Sequence, residues 1–367
     1  MLYNKVKDQS VSLLGYGCMR FPLAANGKVD RSAAFALLDE AYQNGVTYYD
    51  TAYGYHNGES EEVLGQWLKT IDRSTVSVAD KMSFWYADSA EQSHEVFNNQ
   101  FNRLEVEVID FYLMHSMNRD YWKKAQEFKF WDFLVQKRAE GKIRYIGFSF
   151  HEDLAFFEEM LNAYPWDFCQ IQLNYMDADY QAGLKGLKMA SERGLGVMIM
   201  EPMKGGLLAA LPPKEKAMLN SELSDGQEAL RWVASQKGVS VILSGINKQR
   251  DIEENIAVLE DFRPMGAEEF SVIERVGASL NEKILVPCTC CEYCMPCPFG
   301  VNIPLGFKYL NVGNRYENYP KARGTYNFNV GDQKAAKCVD CQTCVSKCPQ
   351  QINIPEMLKL VVEKFEN

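Results

Sequence analysis

The sequence predicts an α/β protein: a (β/α)8 TIM barrel followed by a small, cysteine-rich α+β domain. Three observations carry that expectation. Eight short β-rich runs alternate with helical stretches over about 265 residues, the count such a barrel needs. Nine of the 11 cysteines lie between Cys288 and Cys348, leaving only Cys18 and Cys169 outside. The length, 367 residues, exceeds the roughly 250 that one barrel absorbs.

The composition suits a folded chain of this size. Apolar residues make up 47% and charged residues 24%, which excludes a wholly disordered or collagen-like chain. The net charge of −10 argues against nucleic acid as a partner, because an acidic surface repels phosphate backbones. No run of 18 apolar residues offers a spanning helix, so no membrane association is expected. The start, MLYNKVKDQSVSLLGYG, lacks the long apolar stretch of a secretory signal. Crowded thiols in that setting point to metal ligation in a reducing cytoplasm, the expected location.

The candidate strands, in order, are SLLGYG (12–17), VTYYD (46–50), TVSVADK (75–81), IDFYLMH (109–115), IRYIGFS (143–149), FCQIQLN (168–174), GVMIM (196–200) and VSVILSG (239–245). A helical pattern follows each. In RSAAFALLDEAYQNG (31–45), Phe35, Leu38, Ala41 and Tyr42 recur at helical spacing and Gly45 stands where a C-terminal cap belongs. In DGQEALRWVASQKG (225–238), Asp225 reads as the N-cap and Gly238 lies beyond the end. The rival fold is an open doubly wound sheet with a glycine-rich first turn. GYGCMR (15–20) puts Arg20 where the third glycine should be, so it reads as a turn after the first strand. The connection over 201–225 is long, and in a barrel it would lie on the active-site face. The composition shift at NEKILVP (281–287) marks a boundary, giving 1–280 as the barrel and 281–367 as the second domain.

Polar residues fall at the C-terminal ends of successive strands, the face where barrels place their chemistry. Asp50 ends the second strand and Tyr55 follows in DTAYGYHNGESE; Lys81 ends the third and His115 the fourth. Singly, each has a plain structural reading: a capping Asp, a rim Tyr, a solvated Lys, a core His. Their succession on three consecutive strands favours a site.

DTAYGY, VADK and IDFYLMH, with GFS and QIQLNY after them, resemble the aldo/keto reductase superfamily over roughly residues 10–265. The resemblance implies a catalytic tetrad of Asp50, Tyr55, Lys81 and His115, and NADP or NAD bound without a Rossmann fold. Reducing a carbonyl takes a hydride on carbon and a proton on oxygen. A phenol, with a pKa near ~10, is a slow acid at neutral pH. Lys81 would lower that value, Asp50 would hold Lys81 charged, and His115 would hydrogen-bond the substrate oxygen.

The same resemblance implies nicotinamide contacts at Ser149 and Gln170. Phe150 follows Ser149 where the family often has Asn, and Met200 stands where a stacking aromatic is often found. EPMKGG, with Pro202, Met203 and Gly205, would cover the pyrophosphate. ILSGINKQRDIEENI (242–256) matches the adenosine-end segment, with Glu254 and Asn255 as adenine contacts. Asp251 occupies the place of an Arg common in NADPH-specific members. Lys248 and Arg250 are the cations left to meet a 2′-phosphate, and a surface helix of mixed charge explains them equally well.

In the tail, Cys288, Cys291, Cys294 and Cys297 form C-x2-C-x2-C-x2-C-P, with Cys290 out of register. Cys338, Cys341, Cys344 and Cys348 form C-x2-C-x2-C-x3-C-P, the bacterial ferredoxin pattern. Three thiols on one tight loop reach three corners of a cubane, and the fourth ligand comes from elsewhere. Zinc, which prefers separated Cys pairs, and disulfides are the weaker alternatives. CPFGVNIP (297–304) and CPQQINIP (348–355) repeat in register. The tail resembles a two-cluster ferredoxin, which implies two [4Fe–4S] clusters with crossed ligation. Cys288, Cys291, Cys294 and Cys348 would hold one, and Cys338, Cys341, Cys344 and Cys297 the other. The segment NVGNRYENYPKARGTYNFNVGDQK (311–334) reads as a docking segment or an exposed loop, and IPEMLKLVVEKFEN as a terminal amphipathic helix.

Two functions follow. The first is an NAD(P)H-dependent oxidoreductase acting on a small carbonyl or alcohol, with the clusters stabilising the tail or serving a redox partner protein. The second is an electron-transfer or redox-sensing module in which the barrel only binds nucleotide. The Tyr–Lys–His set favours the first, because a sensor needs no proton donor.

Overall fold

The computed structural model describes every residue except Thr289, Cys291, Tyr293 and Pro349. It divides into two compact units, Met1–Ala209 with Glu222–Gly266, and Ala210–Ser221 with Ala267–Asn367.

The first unit opens with an antiparallel hairpin, β1 (Tyr3–Val6) and β2 (Gln9–Ser12). Eight parallel strands then close a barrel. They are β3 (Leu14–Gly17), β4 (Tyr48–Asp50), β5 (Ser77–Met82), β6 (Ile109–Met117), β7 (Ile143–Phe150), β8 (Phe168–Gln172), β9 (Gly196–Met200) and β10 (Val241–Gly245), with β10 pairing both β9 and β3. Each coincides with an expected strand, and helices separate them.

Pleating decides what the barrel presents inside. Alternate residues face inward. Tyr48, Ala79, Phe111, Leu113, Tyr145, Phe168, Met198, Val241 and Leu243 form the interior cluster. Two residues further along the same faces come Asp50, Lys81, His115, Gln170 and Met200, with Ser149 four beyond Tyr145. On β4 to β8 the inward face thus changes from apolar to polar towards the C-terminal end.

The hairpin is absent from the sequence reading. Its Val6 and Val11 join the interior cluster, against residues from the N-terminal ends of the strands. A Cβ on Gly196, where β9 begins, would come within 2.6 Å of Val6. The GYG motif falls in the expected strand 12–17. Gly15 and Gly17 lie within β3, and the turn begins at Cys18. The reason for glycine at 15 is steric: a Cβ on Gly15 would meet Val241 at 2.7 Å and Leu243 at 2.8 Å.

The helix Arg31–Gln43 is capped by Asp30 and followed by Gly45 at φ 83°, as expected; its buried face is Ala34, Leu37, Leu38 and Ala41. The helix Asp225–Ala234 is capped by Ser224, not by Asp225. Ser224 and Gln227 form a reciprocal capping box, which places Asp225 in the first turn.

The second unit packs the helices Ile303–Arg315, Tyr319–Val330 and Ile354–Phe365 around Phe307, Leu310, Tyr326, Leu358 and Val361. Among the described residues it contains helices, turns and loops and no strand. The two NIP repeats open two of these helices, with Asn302 and Asn353 at the N-caps and a proline in the first turn. The segment 311–334 is helical over most of its length, not an exposed loop. Asn318 accepts from Lys321 N as its cap, while Ala322, Tyr326 and Val330 are buried. The middle of the long connection supplies the helix Pro213–Leu219 to this unit. Its buried Glu215 accepts from Ser279 at 2.7 Å and Lys283 at 2.8 Å.

Candidate active site

Parallel pairing sets Asp50 beside Ala79, and Lys81 lies two residues further along β5 on the same face. Lys81 is wholly buried. Its Nζ donates to Asp50 Oδ1 at 2.6 Å and to the Thr51 carbonyl at 2.6 Å. The Tyr55 hydroxyl stands 3.5 Å from the same nitrogen, the outer limit of a hydrogen bond. The Tyr55 ring meets His115 edge-on at 5.9 Å between centroids. His115 Nδ1 is 2.8 Å from Ser83 Oγ, and the half-exposed Trp85 packs on its ring at 4.9 Å. The four tetrad candidates are therefore brought together.

Tyr55 is aimed by an unusual turn. His56 and Asn57 follow it at φ 51° and 56°, and Gly58 at 95°. Such left-handed runs are strained for side-chain-bearing residues and cluster at functional sites. His56 Nε2 anchors the turn by accepting from Phe21 N at 3.2 Å. A side chain on Gly58 would come within 2.9 Å of the Arg103 guanidinium.

Electrostatics follow from burial. Desolvation works against the Lys81 ammonium, but Asp50 and then Tyr55 outweigh it, and the Lys81 pKa ends above its ordinary value. Burial raises Asp50, with the Lys81 charge opposing. Burial also raises Tyr55, and Lys81 offsets only part of that rise. The sequence reading expected Lys81 to make this phenol more acidic than usual; desolvation of the phenolate overrides it. Burial, the Lys81 charge and His151 hold His115 well below the imidazole range, so it is neutral at pH 7.

Those directions fix a pH profile. A Tyr55 acting as proton donor would have to be protonated; its pKa lies above the ordinary tyrosine value, and that of His115 well below the ordinary histidine value. We expect kcat/KM for carbonyl reduction to be flat between the two and to fall only as Tyr55 ionises. Alcohol oxidation should rise towards the same limb. A limb near the ordinary histidine value, about 6.5, would contradict the assignment.

The nucleotide candidates sit nearby on the strands. Ser149 and Gln170 are register partners on β7 and β8. Ser149 Oγ accepts from Ser116 N at 2.7 Å. Gln170 Nε2 reaches Met200 Sδ at 3.6 Å, and its buried Oε1 has no partner among the described residues. In the loop after β9, Pro202 is buried, Met203 precedes a single 3-10 turn, and Gly205 has φ 61°. Lys204 ties this loop to Asp177, whose carboxylate also accepts from Gln172 and Asn174. Lys248 precedes the helix Gln249–Glu260. Arg250 donates to Glu254 at 2.6 Å, so this cation is already paired. Glu254 also accepts from Ser224, and the buried Asn255 donates to Ser244 at 2.9 Å.

In the second unit, Cys338, Cys341, Cys344 and Cys297 line one cavity, which Cys294 also touches. Cys288, Cys294 and Cys348 line another. Cys291 lies outside the described residues. Among those described, no three His, Cys, Asp or Glu are grouped to hold a single metal ion.

Sequence reasoning missed Ser83 and Thr51. Ser83 lies two residues beyond Lys81, so alternation along β5 points to it. Thr51 contributes only its carbonyl, for which residue type carries no signal.

The closed parallel barrel thus carries a buried ion pair, a phenol and an imidazole at its C-terminal mouth. The chain belongs to the aldo/keto reductase family, whose model matches residues 13–278. Residues 287–352 match the 4Fe-4S dicluster domain. L-galactose dehydrogenase of Arabidopsis thaliana is 26% identical over 72% of this chain and 89% of its own length. NADH-specific methylglyoxal reductase of Escherichia coli (strain K12) is 25% identical over 64% and 85%. Two solved aldo-keto reductases share the fold. One, from Bacillus halodurans in its holo form, has a TM-score of 0.63 at 22% identity, covering 75% of this chain and 96% of that one. The other, from Klebsiella pneumoniae in complex with NADPH, has a TM-score of 0.62 at 23% identity, covering 75% and 95%. The protein is an oxidoreductase of the aldo/keto reductase type carrying an iron–sulfur domain. No helix among the described residues is long and apolar enough to cross a membrane.

Proposed function

We propose that residues 1–280 interconvert an aldehyde or ketone and its alcohol with a nicotinamide nucleotide, and that residues 281–367 hold two [4Fe–4S] clusters. The observation that carries the reading is the buried Asp50–Lys81 pair, with the partly buried Tyr55 hydroxyl beside it and a neutral His115. Bound nicotinamide supplies the hydride. Ser149 and the unpartnered Gln170 oxygen suit its carboxamide, which offers both a donor and an acceptor. Tyr55 gives its proton to the substrate oxygen, and Lys81 stabilises the phenolate left behind. Asp50 keeps Lys81 charged and aimed. Ser83, donating to His115 Nδ1, leaves the imidazole proton on Nε2, where it meets the developing oxyanion. Pairing of Arg250 with Glu254 weakens the case for a 2′-phosphate at that residue and favours NADH.

Crossed ligation is supported by the two cysteine-lined cavities. The clusters supply one-electron transfer, open to a redox partner protein. Anaerobically purified full-length protein should contain about eight irons and eight sulfides per chain. It should oxidise NADH or NADPH when offered a panel of aldehydes and ketones. Failure of every carbonyl with both nucleotides would sink the enzymatic reading.

A further inference from the structure

A second buried carboxyl pair lies behind the tetrad. Asp80 and Glu61 are both fully buried, and their carboxyls lie within interaction reach of each other. Glu61 Oε2 accepts from Arg103 at 2.8 Å, and Asp80 Oδ1 accepts from the Lys81 backbone N–H at 2.8 Å. That leaves Glu61 Oε1 and Asp80 Oδ2, both buried and with no donor among the described residues. Two carboxyls that touch in a dry site cannot both ionise when a single guanidinium serves them.

We propose that Asp80 and Glu61 hold one proton between them, with Asp80 as the carboxylic acid donating to Glu61, and that the neutral Asp80 is a positioning residue for Lys81. Its Oδ1 fixes the Lys81 N–H, while Gln100 Nε2 donates to the Lys81 carbonyl at 3.0 Å. The lysine is thus held at its backbone on both sides. A neutral Asp80 also adds no second carboxylate charge beside Lys81, where Asp50 already stands.

The charged and titratable groups around Asp80 agree. Glu61 faces it from the helix Glu59–Leu68, Arg103 lies behind Glu61 on the helix Ala90–Leu104, Tyr112 lies on β6, and Cys18 and Asp50 follow and end β3 and β4. Burial and then the Glu61 charge push the Asp80 carboxyl well above its usual range, the backbone N–H and Lys81 notwithstanding.

Infrared difference spectroscopy of the full-length protein in H2O and D2O reads the proton without needing activity. A protonated-carboxyl band should persist at neutral pH, survive Asp50→Asn, disappear in Asp80→Asn and shift in Glu61→Gln, where an amide replaces the carboxylate acceptor. No such band, or a band indifferent to both Asp80 and Glu61 changes, overturns the shared proton. The positioning role rests on the proposed function of Lys81 and has its own readout. Asp80→Asn, which keeps both hydrogen bonds, should exceed Asp80→Ala at least tenfold in kcat with similar KM. Equal kcat in the two variants overturns it. Should Asp80→Ala fail to fold, Asp80→Ser takes its place.

Discussion

Replacing Tyr55 with phenylalanine should slow carbonyl reduction by about two to four orders of magnitude, the usual worth of a positioned acid. The substitution removes one oxygen and little else. The ring keeps its edge-on contact with His115, and among the described residues the hydroxyl makes one long contact, to Lys81 at 3.5 Å. Stability and nucleotide affinity should therefore be close to those of the parent, and the loss should fall on kcat. Steady-state kinetics together with nucleotide titration separate these. A variant that retains full activity would show that another group delivers the proton.

Lys81→Met should be the most destabilising change at the site. It leaves Asp50 buried with no cation and strips the donor from the Thr51 carbonyl. Breaking a buried ion pair by removing one partner costs about 3–5 kcal/mol. The penalty has a pH sign. Burial raises the folded-state pKa of Asp50 above its unfolded value. The unpaired charge is therefore felt above the folded value, and the deficit shrinks as pH falls through the carboxylate range, where Asp50 is neutral in both states. Thermal denaturation at neutral and acid pH checks this, and Asp50→Asn with Lys81→Met should recover much of the loss. Activity should be lost in both variants.

The sequence exposed the barrel because its strands are short, β-rich and evenly interrupted. It exposed three of the four tetrad candidates because pleating puts every second residue inside: the positions that follow Tyr48, Ala79 and Leu113 on their inward faces are Asp50, Lys81 and His115. The hairpin is not legible because YNKV and QSVS are short and mostly polar, and the packing of Val6 and Val11 against the barrel interior is a tertiary fact. The acidity of Tyr55 is not legible in the sequence, because spacing reveals a neighbouring lysine but not the desolvation that outweighs it. The helix Tyr319–Val330 was hidden by Asn, Gly and Tyr, residues usual in loops, until Asn318 and Pro320 are seen to start it.

An anaerobic single turnover with nicotinamide labelled by deuterium at the transferring position bears most directly on the central claim. Nucleotide and cluster absorbance would be followed together, with and without a carbonyl. We predict that nucleotide oxidation waits for the carbonyl, that deuterium arrives on its carbon, that the clusters keep their colour, and that Tyr55→Phe suppresses the event. Bleaching of the clusters by nucleotide alone, undiminished in Tyr55→Phe, would contradict it and make the barrel a port for electrons instead.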